Sequence, residues 1–282
     1  YRRAVEQTKA DPIKIFAISK TREFSFTIYE SNIDPSIRFF HTQNIQPASW
    51  VELKPNTYSL SGSKLTKNQI EITAKWDNIL PYDTQEIAPF IILCYDIECV
   101  SIDGSFPQAI RDGDEIIQIC STVHRYGEEE VSYKHCITLK KSLVIEDAEI
   151  IECETEKQLL MEWTKFMNKL SPDIISGYNT FGFDNEYMFI RAKKFRCSSR
   201  FLDLGKHRNY NARELIEKEL SSSAMGNNFL KYFDMPGIIQ LDLLKYVLRE
   251  GDKLTSYKLN NVAKHYLGSQ KVDLSPKQLF AN

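Results

Sequence analysis

No run of about 18 apolar residues occurs anywhere in the 282-residue chain, so no transmembrane helix and no membrane partner are expected. The start carries no basic stretch followed by an apolar one, so a secretory signal is not expected either. The six cysteines, at 94, 99, 120, 136, 153 and 197, form no C-x-x-C pair. That speaks against a zinc site and for buried free thiols. Excess positive charge is missing too. A formal net charge of -2 excludes a uniformly basic nucleic-acid coat and leaves only a local patch. Its densest candidate is Arg191, Lys193, Lys194, Arg196 and Arg200, which reads equally well as a solvated helix face. The chain opens on Tyr1 rather than Met, which suggests a piece of a longer protein.

What is present suffices for a sizeable core. Hydrophobic residues make up 42% and charged ones 26%, a globular balance, and the length allows two domains. One stretch stands out. Residues 90–100 are an apolar run rich in Ile, Phe and Tyr that suddenly carries two acids, Asp96 and Glu98. It follows Pro89 and is too short for a typical helix, so it reads as a buried strand. Alternate side chains share a strand face, which puts both carboxylates on one side, their Cα atoms roughly 6.6 Å apart. Two like charges beside apolar neighbours repel and resist losing water. A divalent cation relieves that strain, and carboxylate oxygens suit Mg²⁺ or Mn²⁺. Alone, a D-x-E on a strand is common and means little. The apolar setting and a third acid, Asp184, raise its weight.

Taken in order, residues 1–88 read as a strand-rich amino-terminal domain. Phe24, Phe26 and Ile28 alternate with polar neighbours; residues 37–41, 50–53 and 69–76 suggest three further strands. Asn32, Asp34 with Pro35, and Asn56 supply turns. No catalytic constellation appears there. Pro81 and Pro89 bracket a linker. Beyond it, residues 89–282 form a second domain. The acid-bearing strand is followed by a polar loop over 101–114 and by strands over 115–125 and 131–139, an antiparallel meander. Then the period changes. Thr155 to Gln158 has the form of a capping box, and Leu159, Leu160, Trp163, Phe166, Met167 and Leu170 make one helical stripe. A strand over 173–179 leads to Asp184 at the start of a helix over 185–196, where an N-cap role is the plain alternative. Residues 200–236 read as a polar surface excursion. Strand 238–242 ends in Asp242, which caps the helix over 243–249, and a last helix spans 257–267. The alternation predicts an α/β fold.

At this point resemblance adds to pattern. Tyr95-Asp96-Ile97-Glu98 resembles the first exonuclease motif of family B DNA polymerases. Residues 177–184, GYNTFGFD, resemble the second. Ser105-Phe106-Pro107 with residues 116–120, then residues 241–243 and 256–263, are similar to the family's intervening segments. Residues 29–32 and 48–50 look like the amino-terminal region of delta-type enzymes, including those of large DNA viruses. The resemblance implies a ribonuclease H-like exonuclease domain that removes 3′-terminal nucleotides of DNA through two Mg²⁺ (or Mn²⁺) ions held by four acids. It implies that Asp96 bridges both metals, Glu98 binds one and orients the attacking water, and Asp184 supports the second. Asn179 and Phe183 shape the pocket for the terminal nucleotide, and the 101–114 loop touches the frayed single strand. The implied partners are DNA, as primer-template and single-stranded 3′ end, dNTPs at a polymerase domain outside this chain, and a sliding clamp. The implied setting is the nucleus or a viral replication site. The third motif, Tyr-x-x-x-Asp, is expected after the 274–280 region, so the fragment alone is expected to be weakly active or inactive as a nuclease. Two other readings compete. One is a non-catalytic single-stranded DNA-binding or scaffolding module of a polymerase; the other is a stand-alone nuclease.

Overall fold

The computed structural model describes residues 13–17, 20–24, 33–208, 210, 212, 214–222 and 226–269. Phe26, Ile28, Asn32 and the 274–280 region lie outside the described residues. The chain divides into two units, residues 1–61 with 72–85, and residues 62–71 with 86–282.

The first unit holds β1 (Ile13–Ala17) paired antiparallel with β2 (Lys20–Phe24), helix α1 (Pro35–Gln43), and the short strands β3 (Val51–Leu53), β4 (Tyr58–Leu60), β5 (Ile72–Ala74) and β6 (Ile79–Pro81). β3 pairs with β6 and β4 with β5, both antiparallel. The expected strand over 37–41 is a helix instead. Asp34 and Pro35 start it rather than turn the chain. The Asp34 carboxylate accepts from Ser36 N at 2.8 Å, Pro35 occupies the first turn, and Asn44 ends the helix in the left-handed region. A capped start outweighs a short run of strand-forming residues. Of the expected strand over 69–76, only Ile72–Ala74 forms. Glu71 is engaged elsewhere, its carboxylate accepting from the backbone N–H groups of Leu65 and Thr66. β6 runs up to the passage read as a linker and ends at its first bracket, Pro81.

The second unit is a mixed α/β body built on a six-stranded sheet in the order β10-β9-β8-β7-β11-β14. β7 (Ile91–Cys99), β8 (Ile116–Arg125) and β9 (Tyr133–Leu139) are the expected antiparallel meander. β10 (Glu149–Cys153) joins β9 in parallel, a strand not expected from sequence, where two acids flank only Ile150 and Ile151. Helix α2 (Glu156–Leu170) begins with the anticipated capping box: Thr155 Oγ1 accepts from Gln158 N, and Gln158 Oε1 accepts from Thr155 N. β11 (Ile174–Gly177) enters parallel to β7, followed by α3 (Asp184–Lys194) and the single turn α4 (Ser198–Phe201). Residues 216–232 are not a plain surface excursion. They form a hairpin, β12 (Ile216–Ser222) against β13 (Gly226–Tyr232). β14 (Ile239–Asp242) closes the sheet edge beside β11, and α5 (Leu243–Glu250) and α6 (Leu259–Leu267) follow.

Alternation along β7 divides its labour. Leu93, Tyr95 and Ile97 point into the core with Ile119 and Ile137 of the neighbouring strands, against Leu159, Leu160, Trp163 and Met167 of α2. Trp163 is wholly buried, packing on Tyr95, Phe201 and Phe233 with ring centroids 5.4, 5.8 and 6.1 Å away. Asp96 and Glu98 necessarily project from the opposite face.

Candidate active site

The basic cluster at 191–200 loses one member to the interior, while Lys193, Lys194, Arg196 and Arg200 stay exposed. Arg191 is buried and donates to both carboxylate oxygens of Glu156, with Nε to Oε1 at 2.7 Å. It also donates to the carbonyls of Ala109 and Arg111, while Glu156 Oε1 accepts from Ile116 N at 3.0 Å. Lys193 pairs with Glu214 and Lys194 with Asp112. These residues tie the 101–114 loop, the start of β8, α2 and α3 together. Arg191 itself is thereby unavailable to a phosphate.

The 101–114 loop is itself built around buried Asp114. Its carboxylate accepts from Ile102 N, Gln108 N and Arg111 Nε. Those donors hold it below the usual carboxylate range against the cost of burial. Arg111 also reaches Asp103, Ser101 and Ser105. The braced loop presents Phe106, which is 74% exposed and edge-on to Phe183 at 5.4 Å between centroids.

Asp96 is exposed and Glu98 half-buried, on the face of β7 away from the core. The register shifts between Glu98 and Cys99, where β8 carries an extra residue; a bulge of this kind re-aims the side chains beside it. β11 lies alongside residues 92–94 and ends at Gly177, so the following turn leaves the sheet next to Asp96. Gly177 is required there, because a Cβ would stand 2.7 Å from Tyr95 O and 2.4 Å from Thr180 Cγ2. The turn is pinned by Asp242, whose carboxylate accepts from Asn179 N at 2.9 Å and Phe181 N at 3.0 Å while capping α5 through Leu244 N. Asn179 takes the left-handed backbone at φ 64°. Asp242 is therefore structural, as expected, and holds more than its own helix.

Asp184 is the first residue of α3 and not its cap. The cap position is Phe183, which offers no side-chain hydrogen bond. The buried Asp184 carboxylate instead accepts from Ile97 N at 3.2 Å, locking α3 to the strand that carries Asp96. Burial, then the charge of Asp96, push its pKa up to about 7, although hydrogen bonds from Ile97 and its own backbone oppose this. The structure thus brings Asp96 and Asp184 within electrostatic reach of each other and places Glu98 two residues along the same strand face. Among the described residues, no three His, Cys, Asp or Glu side chains converge into a ready-made metal cluster. The donors still fit a hard cation in kind: all are carboxylates, and Asp184 carries a strain that a cation would relieve. Asn179 and Phe183 flank the same turn. Residues 179–183 also touch the hairpin, where Phe181 O accepts from Lys231 N. The Phe106–Phe183 contact was not foreseen, though Phe106 stood in the motif that carried the resemblance.

The family model described as DNA polymerase family B, exonuclease domain, matches residues 26–262. The chain belongs to the family B DNA polymerases. Among its relatives, the DNA polymerase of Paramecium bursaria Chlorella virus NY2A is 36% identical over 263 residues, covering 90% of this chain and 28% of that protein. The DNA polymerase delta catalytic subunit of Dictyostelium discoideum is 38% identical over 250 residues, 88% of this chain and 22% of that one. That of Mesocricetus auratus is 36% identical over 255 residues, 89% and 23%. This exonuclease-domain chain spans about a quarter of the length of these curated relatives.

Proposed function

We propose that this chain is the 3′→5′ proofreading region of a replicative family B DNA polymerase, with a ribonuclease H-like exonuclease domain. The observation that carries this is the hydrogen bond from Ile97 N to Asp184 Oδ1, which sets Asp184 against the strand that carries Asp96 and Glu98, inside a chain matched by the exonuclease-domain model. Residues 1–88 are read as an amino-terminal domain and 89–282 as the exonuclease domain, with the segment 62–71 packed into the latter unit.

Asp96, Glu98 and Asp184 would hold Mg²⁺ or Mn²⁺. When bound, such ions supply an activated water and stabilise the departing 3′ oxygen. The chain's own residues do the positioning. Asp184 is held still by Ile97 N and by the first turn of α3. Glu98 stands one pleat beyond Asp96 to orient the attacking water. Asn179 and Phe183 line the turn against which the terminal nucleotide rests. Phe106 offers an exposed aromatic face to an unpaired base, a contact that tolerates any sequence. For the whole protein we infer polymerisation from dNTPs on primer-template DNA, with a sliding clamp as partner and a nuclear or viral replication site as its setting. The relatives' names, DNA polymerase and DNA polymerase delta catalytic subunit, support polymerisation.

The test is 3′→5′ trimming of a 5′-labelled single strand in Mg²⁺ by the parent protein, against Asp96→Ala with Glu98→Ala. Trimming by the wild type alone, with polymerisation intact in both, supports the assignment. Equal trimming by both places the activity elsewhere. No trimming by either, with the strand still bound, makes the module a non-catalytic DNA-binding scaffold.

A further inference from the structure

The transverse row through Asp96 continues beyond the candidate site. Cys120 of β8 stands opposite Asp96, and Cys136 of β9 stands opposite Cys120. Hydrogen bonds settle the kind of pairing. Tyr126 N donates to Phe90 O at one end of the β7–β8 ladder, and Ser132 N donates to Val123 O across to β9. In an antiparallel ladder hydrogen-bonded and non-hydrogen-bonded pairs alternate. Counting inward, Asp96–Cys120 is a hydrogen-bonded pair, so Cys120 meets Cys136 as a non-hydrogen-bonded one. In such pairs opposite Cα atoms lie about 4.5 Å apart and the side chains are closest. That is within the span of about 4.4–6.8 Å that a disulfide bridges. The two sulfurs are 3.3 Å apart, in thiol–thiol contact.

The other four cysteines have no such counterpart. Cys94 faces Thr122, Cys99 faces Ile116, Cys153 lies beside Leu139, and Cys197 sits outside the sheet. A cleft of about 320 Å³, lined by Cys94, Asp96, Cys120, Cys136 and Ile145, opens onto the pair. It gives a small oxidant access without unfolding of the strands.

We propose that Cys120 and Cys136 form a reversible thiol–disulfide site, oxidised by small hydroperoxides that enter this cleft, which bridges β8 to β9 one strand away from Asp96. One thiolate attacks a peroxide oxygen, the O–O bond breaks, and a sulfenic acid and water result. The second thiol displaces the hydroxyl as another water while the S–S bond forms. Two thiols and one hydrogen peroxide thus give one disulfide and two waters, two electrons passing from sulfur to oxygen. A dithiol reductant reverses the step through a mixed disulfide. The geometry requires no movement of the strands, which separates this pair from thiols that oxidise only after unfolding.

The test uses the 282-residue chain, reduced, desalted and treated with hydrogen peroxide. Remaining thiols are then alkylated and peptides mapped without reduction. The expected result is a single intramolecular link between the peptides carrying Cys120 and Cys136, with the other four thiols alkylated and the link lost on treatment with dithiothreitol. Cys94→Ser leaves the yield unchanged, and Cys120→Ser reduces it to background. Alkylation of both Cys120 and Cys136 after peroxide, a link through Cys94, or links only between chains each overturns the proposal.

Discussion

Replacing Asp184 by Asn tests the electrostatics of the site apart from its activity. The Asp184 carboxyl moves from 3.8 to about 7 on folding, first through burial and then through Asp96. Between those values the folded chain binds more protons than the unfolded one, so stability falls as pH rises from about 4 to about 7. Above pH 7 the full penalty is present; at about 1.36 kcal/mol per pH unit it comes to about 4 kcal/mol. Asn keeps an oxygen that can accept from Ile97 N but carries no charge. Without metal at pH 8, Asp184→Asn is therefore expected to be more stable than wild type by about 2–4 kcal/mol in urea denaturation with EDTA. At pH 4 the two curves should nearly coincide. His135 titrates in the same window, its pKa pushed down to about 4 by burial. It destabilises both proteins alike as pH falls from 6.5 towards 4, so the difference between them isolates Asp184. Adding Mg²⁺ at pH 8 should close the gap by stabilising the wild type alone. Equal stability at pH 8, or an advantage for Asn that grows as pH falls, would refute the reasoning.

Three further outcomes are expected. Arg191→Met leaves Glu156 buried without its partner and should cost about 3–5 kcal/mol, part of which returns when Glu156→Leu is added; a double-mutant cycle in urea checks this. Gly177→Ala should cost about 1–3 kcal/mol by thermal denaturation, and Thr180→Ser should not rescue it, because the clash with Tyr95 O persists after the Thr180 methyl is gone. Phe106→Ala should change stability by no more than about 0.5 kcal/mol yet weaken binding of a single-stranded oligonucleotide by about 1–3 kcal/mol in a fluorescence titration, since the ring is exposed and its one ring contact among the described residues is edge-on to Phe183.

The meander, the capped helix and the Asp96 strand were legible because each announces itself locally. Alternation marks β7 to β9, and Thr155 with Gln158 marks the start of α2. β10 was not legible, because it pairs in parallel with β9 rather than as a hairpin and two of its five residues are acidic. The 37–41 segment misled because five residues rich in Ile and Phe are weak evidence for a strand beside a capped start at Asp34 and Pro35. Within the basic cluster at 191–200, Arg191 misled for a different reason. Charge density in a sequence says nothing of partners, and here Glu156, 35 residues away, claims Arg191. At the site, spacing alone put Asp96 and Glu98 on one face. It could not show that Asp184 would reach back to Ile97 N instead of capping its own helix.

That last contact explains why the acids sit where they do. A buried carboxylate beside another carboxylate is unfavourable by itself, and a flexible one would swing away into water. Asp184 cannot, because its oxygen is engaged by the backbone between Asp96 and Glu98 and its Cα belongs to a packed helix. β7 in turn is fixed by its other face, where Leu93, Tyr95 and Ile97 lie in a core closed by Trp163. The turn bringing Asp184 round is fixed by Asp242. The strain is thus held by elements that do not themselves take part in chemistry. Under the proposed function, this arrangement would keep Asp184 beside Asp96 before any cation arrives, at a stability cost that the Asp184→Asn comparison measures directly.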